Sequence, residues 1–285
     1  MDALIRDLKF KIAQFSDHSK HFVDAERCFD GIKKILLSIN INNNDIFPYI
    51  VQRGQLNYLA SSITELNKSL IILAKDNLFS SIEALSRVAM EHSVNLFYLL
   101  QDENPPIRYK SLMYHYLQDT IAKTKKWHSY AIEHKISDSI CLADNKISRL
   151  EGEINYHFPN GTNHLEKWPN TFDRFKKIGL EEHYRTLFAT ASDSVHSLSE
   201  DLYNFTVYRY YPEITHETHN SFLKAEKMSF AVYLLLRSLN YYCVAAYKLA
   251  NHAKEERYFD ELNKIDVKIR NMIDEHESLN LDICG

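Results

Sequence analysis

Charged and polar side chains recur at helical spacing within residues 76–100. Glu83, Arg87, Glu91 and Asn95 are each four residues apart, so they form one column on a helix. Apolar side chains fill most of the remaining circumference, which is typical of a central bundle helix. Charges there are costly unless they are paired. The column is therefore either a self-paired polar seam or part of a pocket in which the Arg87 guanidinium binds an anion.

His92 follows Arg87 five residues later. This spacing resembles the Arg-x(4–6)-His motif of the HEPN (higher eukaryotes and prokaryotes nucleotide-binding) ribonucleases, which are α-helical, usually dimeric, and independent of metals. The resemblance implies that Arg87 binds the scissile phosphate and that His92 exchanges a proton with the ribose 2′-hydroxyl. Val88 departs from the pattern, because a polar residue is usual there. His92 also lies ~140° around the helix from Arg87, so a joint site needs a bend or a partner subunit; otherwise His92 is a packing residue.

A second candidate group lies in the helix predicted over residues 181–197. Ser192 and His196 are four residues apart and share one helix face. A serine hydroxyl held by an imidazole is the pairing of serine hydrolases, but those enzymes also need a strained turn and an oxyanion hole. With 6 glycines and no GxSxG motif, hydrolase chemistry is not favoured. Two alternatives stay open: a close helix crossing, or a pocket that His196 completes with Arg87 and Glu91.

The two segments together resemble the domain-of-unknown-function family numbered 5677, a bacterial helical family. The first half is Ser86-Arg87-x3-Glu91-His92-x2-Asn95, and the second is Tyr184-Arg185-x2-Phe188-x3-Ser192-x3-His196. Both halves occur in the expected order and distance, and the resemblance covers roughly residues 50–250. It implies a distant relation to the HEPN superfamily and a place in bacterial antiviral or toxin systems. It assigns the polar positions of that family to Arg87, Glu91, Ser192, His196 and Arg108.

Helical periodicity predicts the elements that must position these residues. Breaks at INNNDIFP, QDENPP and YHFPNGTNHLEKWPN separate the helices, because proline and clustered asparagine end them. We expect an all-α antiparallel helical bundle with additional peripheral helices. Its parts are an N-terminal helical extension (1–45), a main bundle (46–255) and a C-terminal helix and tail (256–285). The predicted helices cover 3–39 (one helix or two), 49–75, 76–101, 107–135, 138–154, 171–178, 181–197, 219–253 and 255–277.

Composition restricts the function classes. Six glycines and six prolines exclude dinucleotide-binding folds and phosphate-binding loops, so any chemistry must come from side chains on helices. The net charge of −4 gives no overall attraction to nucleic acid or to anionic membranes. Four scattered cysteines suggest neither disulfides nor a metal site, and we expect no cofactor. The most apolar stretch, 230–250, contains Arg237, Asn240 and Lys248, which indicates a buried helix of a cytoplasmic protein rather than a membrane span.

Two surface patterns leave their interpretation open. Arg174, Lys176 and Lys177, interleaved with Phe172 and Phe175, suit single-stranded RNA or an ordinary solvated helix face. The run Tyr208–Tyr211 has the composition of a protein interface.

Two functions follow from the sequence. The first is a homodimeric bacterial defence or toxin-type protein that cuts RNA without a metal or binds a nucleotide, using Arg87, Glu91, His92, Ser192 and His196, with Asn95 and Arg108 as ligand-binding residues. The alternative is a non-catalytic interaction or ligand-sensing module that works with a partner protein of a defence system. The two differ in whether Arg87 shares a cavity with His92 or His196.

Overall fold

The computed structural model describes residues 2–101, 107–189 and 200–281. Helices account for most of these residues and no strand occurs among them, which confirms the all-α prediction. The segment predicted over 3–39 is two helices separated by a short 3₁₀ turn. The α-helices are α1 Asp2–Asp17, α2 His21–Ser38, α3 Ile50–Lys75, α4 Phe79–Leu100, α5 Ile107–Glu133, α6 Ser137–His157, α7 Thr171–Lys177, α8 Glu181–His183, α9 Glu200–Val207, α10 His216–His252 and α11 Phe259–Leu281.

The long helix α10 lies at the centre of the bundle. It packs most extensively against α4, and α1, α2, α3 and α11 cover its other sides. Three consecutive leucines, Leu234, Leu235 and Leu236, are all fully buried. Consecutive residues point about 100° apart on a helix, so burial of all three means that α10 is enclosed on most of its circumference.

Helices α3 and α4 form a hairpin on one side of α10. Asn77 in the short link has a φ of 56°, a left-handed conformation that asparagine tolerates at a helix end. In α3 the fully buried Asn67 donates from its side chain to the Ile63 carbonyl and accepts from the Ser238 hydroxyl of α10, both at 2.9 Å. This buried polar link fixes the register of α3 against α10.

One large core joins the beginning, middle and end of the chain. Phe29 of α2, Leu262 of α11 and the α4 residues belong to the same cluster of buried side chains. The predicted boundaries near residues 45 and 255 stay predictions, but the side chains on both sides of them share this core.

Helices α5 and α6 form a second hairpin that carries its own small core. Leu117 and Ile121 of α5 pack with Leu150 of α6 and with Phe158 just beyond it. Helix α6 packs mainly against α5, so this hairpin is the most separate part of the bundle. None of the helices in the described part of the chain is both long and apolar enough to span a membrane.

Helix α10 provides a direct test of this architecture. Replacing the fully buried Leu235 by Ala should lower the free energy of unfolding by about 2–5 kcal/mol, because it removes apolar contacts and leaves a cavity. The matched control is Leu37→Ala in α2, where the leucine is 72% exposed and the change should stay within about 0.5 kcal/mol. Urea unfolding followed by circular dichroism measures both; similar losses would contradict the central position of α10.

Candidate functional site

An ion pair between Glu91 of α4 and Arg174 of α7 is the centre of the best-formed polar site. Arg174 is 6% exposed and donates from Nη2 to Glu91 Oε1 at 2.9 Å. The Thr171 hydroxyl also donates to Glu91 Oε1 at 2.9 Å. Arg174 further donates to the Pro169 carbonyl at 2.7 Å and to the Thr171 hydroxyl at 3.1 Å. The pair therefore joins α4, α7 and the preceding loop.

Local sequence explains why α7 starts where it does. Asn170 is its N-cap, and the Asn170 side chain accepts from the backbone N–H of Asp173 at 2.9 Å. Pro169 lies immediately before the cap. Because proline disrupts a helix, α7 does not extend further towards the N-terminus. The buried Trp168 lies beside Arg174, with the guanidinium 5.5 Å from its ring, and meets Tyr98 of α4 edge-on at 5.3 Å. These contacts fix the loop against α4.

A groove of about 660 Å³ opens beside this ion pair. That volume lies within the ~300–1,000 Å³ usual for small-molecule sites. Its charged side chains are three cations and two carboxylates, and Glu91 and Arg174 already neutralise each other. Lys167 and Lys177 are both exposed at its border. The lining residues are Glu91, His115, Lys167, Trp168, Pro169, Asn170, Thr171, Asp173, Arg174 and Lys177.

Burial has a marked effect on Arg174. Desolvation lowers its pKa from 12.5, while the charge and hydrogen bond of Glu91 raise it again. The guanidinium stays charged at physiological pH because its ordinary pKa is so high. Its buried Nε has no hydrogen-bond partner among the described residues.

Arg87 is held by an aromatic ring. Its guanidinium carbon lies 4.7 Å from the centroid of the Phe188 ring, and its buried Nε has no hydrogen-bond partner in the described part of the chain. Phe188 ends a π-helical turn, Tyr184–Phe188, that continues α8. Phe188 also packs against Phe175 at 5.2 Å and stacks on Tyr184 at 5.4 Å. The two segments that carry the sequence resemblance therefore meet at Arg87 and Phe188.

Other polar atoms on α4 are also without partners. The Ser86 hydroxyl, His92 Nδ1 and Asn95 Oδ1 are buried and make no hydrogen bond to any described residue. Burial lowers the pKa of His92, with the charge of Glu91 opposing the shift, so its imidazole is neutral at neutral pH. Each unsatisfied buried group costs about 1–3 kcal/mol. Helix α4 therefore has hydrogen-bonding capacity on more than one face that the described residues do not use.

The remaining predicted residues have different outcomes. Arg108 donates to the Tyr98 carbonyl at 2.8 Å and to Gln101 Oε1 at 3.1 Å, and its guanidinium lies 4.2 Å from the Tyr98 ring. It thus satisfies the C-terminal end of α4. Ser192 and His196 lie outside the described residues, so their predicted roles stay predictions.

Arg87 and His92 do not share a helix face. Helix α4 continues through both residues, so they keep the ~140° separation of a regular helix. Neither residue lines the groove beside Arg174, whereas Glu91 does. A joint Arg87–His92 site would have to be completed by another molecule or by residues beyond the described ranges.

The sequence did not identify Arg174 as the partner of Glu91. The sequence offered partners for Glu91 on its own helix, but the structure pairs it with a side chain 83 residues later. The available signal was the cap motif Asn170-Thr171-Phe172-Asp173, which predicts the start of α7 and places Arg174 in its first turn. A carboxylate on a mostly apolar helix requires a cation, and that requirement alone does not select Arg174.

Among the described residues, no group of three or more histidine, cysteine, aspartate and glutamate side chains has a geometry that could hold a metal ion.

Fold and groove together define an all-α bundle with a basic, partly neutralised cleft between α4 and α7. The chain belongs to the Family of unknown function (DUF5677), whose model matches residues 56–208. That range contains Arg87, Glu91, the whole groove and Phe188. No curated protein and no solved structure matches the chain significantly.

The Glu91–Arg174 pair can be tested by removing its carboxylate. Glu91→Ala leaves the Arg174 charge buried without its partner, and because Glu91 is 32% exposed we expect a loss of about 2 kcal/mol in unfolding free energy. The control is Glu181→Ala, which removes the partner of the exposed Arg185 and should cost below about 1 kcal/mol. Chemical denaturation measures both variants; equal losses would contradict an organising role for the pair.

Proposed function

We propose that this chain is a binding module that holds a phosphate-bearing ligand of nucleotide size in the groove between α4 and α7. The observation that carries the proposal is the combination of a nearly buried Arg174, already held in place by Glu91, with two exposed lysines beside the same 660 Å³ groove. Arg174 holds the α7 side of the groove in a fixed position, and the positive charges of Lys167 and Lys177 attract an incoming anion.

The charges of the groove favour an anion. Lys167, Arg174 and Lys177 outnumber Glu91 and Asp173, so the lysine, arginine and carboxylate side chains of the groove carry one net positive charge. The hydroxyl of Thr171 and the amide of Asn170 offer further hydrogen bonds to phosphate oxygens.

The aromatic residues of the groove are not free to stack on a base. Trp168 is 6% exposed, and it packs against both Tyr98 and Arg174. Recognition by this groove therefore depends on the phosphate rather than on the identity of a nucleobase. This property fits a sensor of an anionic ligand better than a sequence-specific RNA reader.

Metal-independent RNA cleavage is the second candidate function. It is favoured by one observation: the Arg87 guanidinium is held on Phe188, and its Nε has no partner among the described residues. His92, on another face of α4, is neutral at neutral pH. In this mechanism Arg87 binds the scissile phosphate and either His92 or His196 accepts the proton of the ribose 2′-hydroxyl. A cytoplasmic homodimer in a bacterial defence or toxin system is the setting that the family resemblance implies.

Two neighbouring lysines on α7 allow a matched binding test. Lys177 lines the groove, whereas Lys176 does not and instead lies 3.8 Å from Glu181. Lys177→Ala should weaken binding of AMP about tenfold, and Lys176→Ala should change it less than twofold. Isothermal titration with AMP, adenosine and inorganic phosphate measures the effect. Equal weakening by both variants, or adenosine binding as tightly as AMP, would contradict the proposed phosphate site.

The cleavage candidate predicts toxicity in bacteria. Induction of the wild-type chain should slow growth and fragment total RNA, whereas Arg87→Ala and His196→Ala should restore growth and leave RNA intact, because each removes a group assigned to the reaction. Lys176→Ala is the control and should behave as wild type. Equal growth with intact RNA for all four proteins would contradict ribonuclease activity of the isolated chain.

A further inference from the structure

Three histidines form a buried cluster where the first and last parts of the chain meet. His18 lies in the turn between α1 and α2, His21 begins α2, and His276 lies in α11. The ring centroids of His18 and His276 are 3.6 Å apart, and His21 is 5.3 Å from His276 and 6.0 Å from His18. Each of the three residues is 4% exposed.

The hydrogen bonds of the cluster suit neutral imidazoles. His18 Nδ1 bonds the Ser229 hydroxyl of α10 at 2.7 Å. The buried Nε2 atoms of His21 and His276 have no hydrogen-bond partner among the described residues. A protonated imidazole donates from both ring nitrogens, so protonation of His276 would leave a buried cation without an acceptor on Nε2.

Few acidic groups near the cluster could neutralise a positive charge on these histidines. Lys20 and Glu275 flank the cluster, and Lys20 binds Glu275 at 2.9 Å and Asp17 at 2.8 Å. Glu275 Oε2 lies 3.3 Å from His21 Nε2, within ion-pair distance but not aligned for a hydrogen bond, so the carboxylate that already pairs with Lys20 would also have to pair with a protonated His21. Asp24 of α2 is held by Lys268 and Arg27.

On the side of the cluster that faces α10, the described residues include no acidic side chain without a partner. The Tyr233 ring is 6.1 Å from His276, and its hydroxyl bonds Glu277, which also pairs with Arg237. The described groups facing the cluster therefore carry enough negative charge for about one extra cation, not three.

We propose that His18, His21 and His276 form a proton-sensitive clasp that holds α1 and α2 against α11 when neutral and releases them when the cell or compartment acidifies. All three residues lie outside the family match at 56–208. The clasp therefore joins the two segments that flank the matched region. It affects how α1, α2 and α11 cover α10, and it does not involve the groove.

The sign of the pH dependence follows from burial. Desolvation lowers the pKa of all three histidines from 6.5, and it brings that of His276 to about 3. Above pH 6.5 the folded and unfolded chains are both neutral at these positions, so no stability is lost. Below pH 6.5 only the unfolded chain takes up these protons, so stability falls as the pH falls. Each histidine that stays neutral in the folded chain lowers the folding constant up to tenfold for every unit by which the pH falls below 6.5.

A non-titrating aromatic residue at position 276 tests the clasp. Between pH 6 and pH 5 the folding constant of the wild-type chain should fall up to about tenfold through His276, with further losses through His18 and His21, and that of His276→Phe should fall about tenfold less. His134→Phe is the control, because His134 is exposed and stacks on Tyr130, and it should follow the wild type. Urea unfolding of the full chain at each pH gives the constants. Identical pH dependence of the three proteins would overturn the proposal.

Two measurements on the wild-type chain apply even if His276→Phe does not fold. Proton NMR should show His276 still neutral at pH 5.5, and His18 and His21 titrating below pH 6.5. Hydrogen exchange, corrected for its intrinsic pH dependence, should accelerate first in α1, the start of α2 and the last turns of α11. Titration of every histidine near pH 6.5, or uniform acceleration along the chain, would overturn the clasp.

Discussion

Enclosure of α10 is the constraint on which the rest of the structure depends. Because three consecutive leucines of this 37-residue helix are buried, its middle section is enclosed on most of its circumference. Helix α4 covers one side, and α1, α2, α3 and α11 cover the others. Because α10 begins at His216, it lies beyond the family match, which ends at residue 208. The matched helices thus pack on a core that segments outside the match supply. The family region and its flanks therefore share one hydrophobic core.

The ion pair of Glu91 and Arg174 contributes to function through geometry more than through stability. Replacing a buried pair by apolar residues is often neutral or stabilising, while removing one partner is costly. Such a pair therefore holds two elements in one arrangement without adding much net stability. Here it aligns α4 with α7 and fixes the loop that carries Trp168, so Lys177 is presented at a rigid wall. A preorganised wall lowers the entropic cost of binding a ligand.

Helix positions followed from the sequence because they depend on local rules. The helix ends are set by proline, by the Asn40–Asn44 region and by the Asn170 cap. The helical spacing of apolar residues indicated the all-α fold class. The sequence also indicated that α4 carries a candidate site, since charged residues are unusual on a mostly apolar helix. Partners across the bundle were not predictable. Arg174 is 83 residues from Glu91, and His276 is more than 250 residues from His18, so neither pairing leaves a local pattern.

The unpartnered atoms of α4 are a different kind of feature from the groove. In the groove, Glu91, Thr171 and the Pro169 carbonyl accept hydrogen bonds from the two Nη atoms of Arg174, and its buried Nε has no partner among the described residues. Along α4, Ser86, Arg87, His92 and Asn95 each have a buried atom with no bond to the described residues. A fold tolerates such losses, at about 1–3 kcal/mol per group, where another surface or ligand recovers them. Since Arg87 is already fixed on Phe188, a group that accepts from its Nε would recover that energy without reordering the side chain. The unused hydrogen-bonding capacity is therefore a property of the fold of this helix.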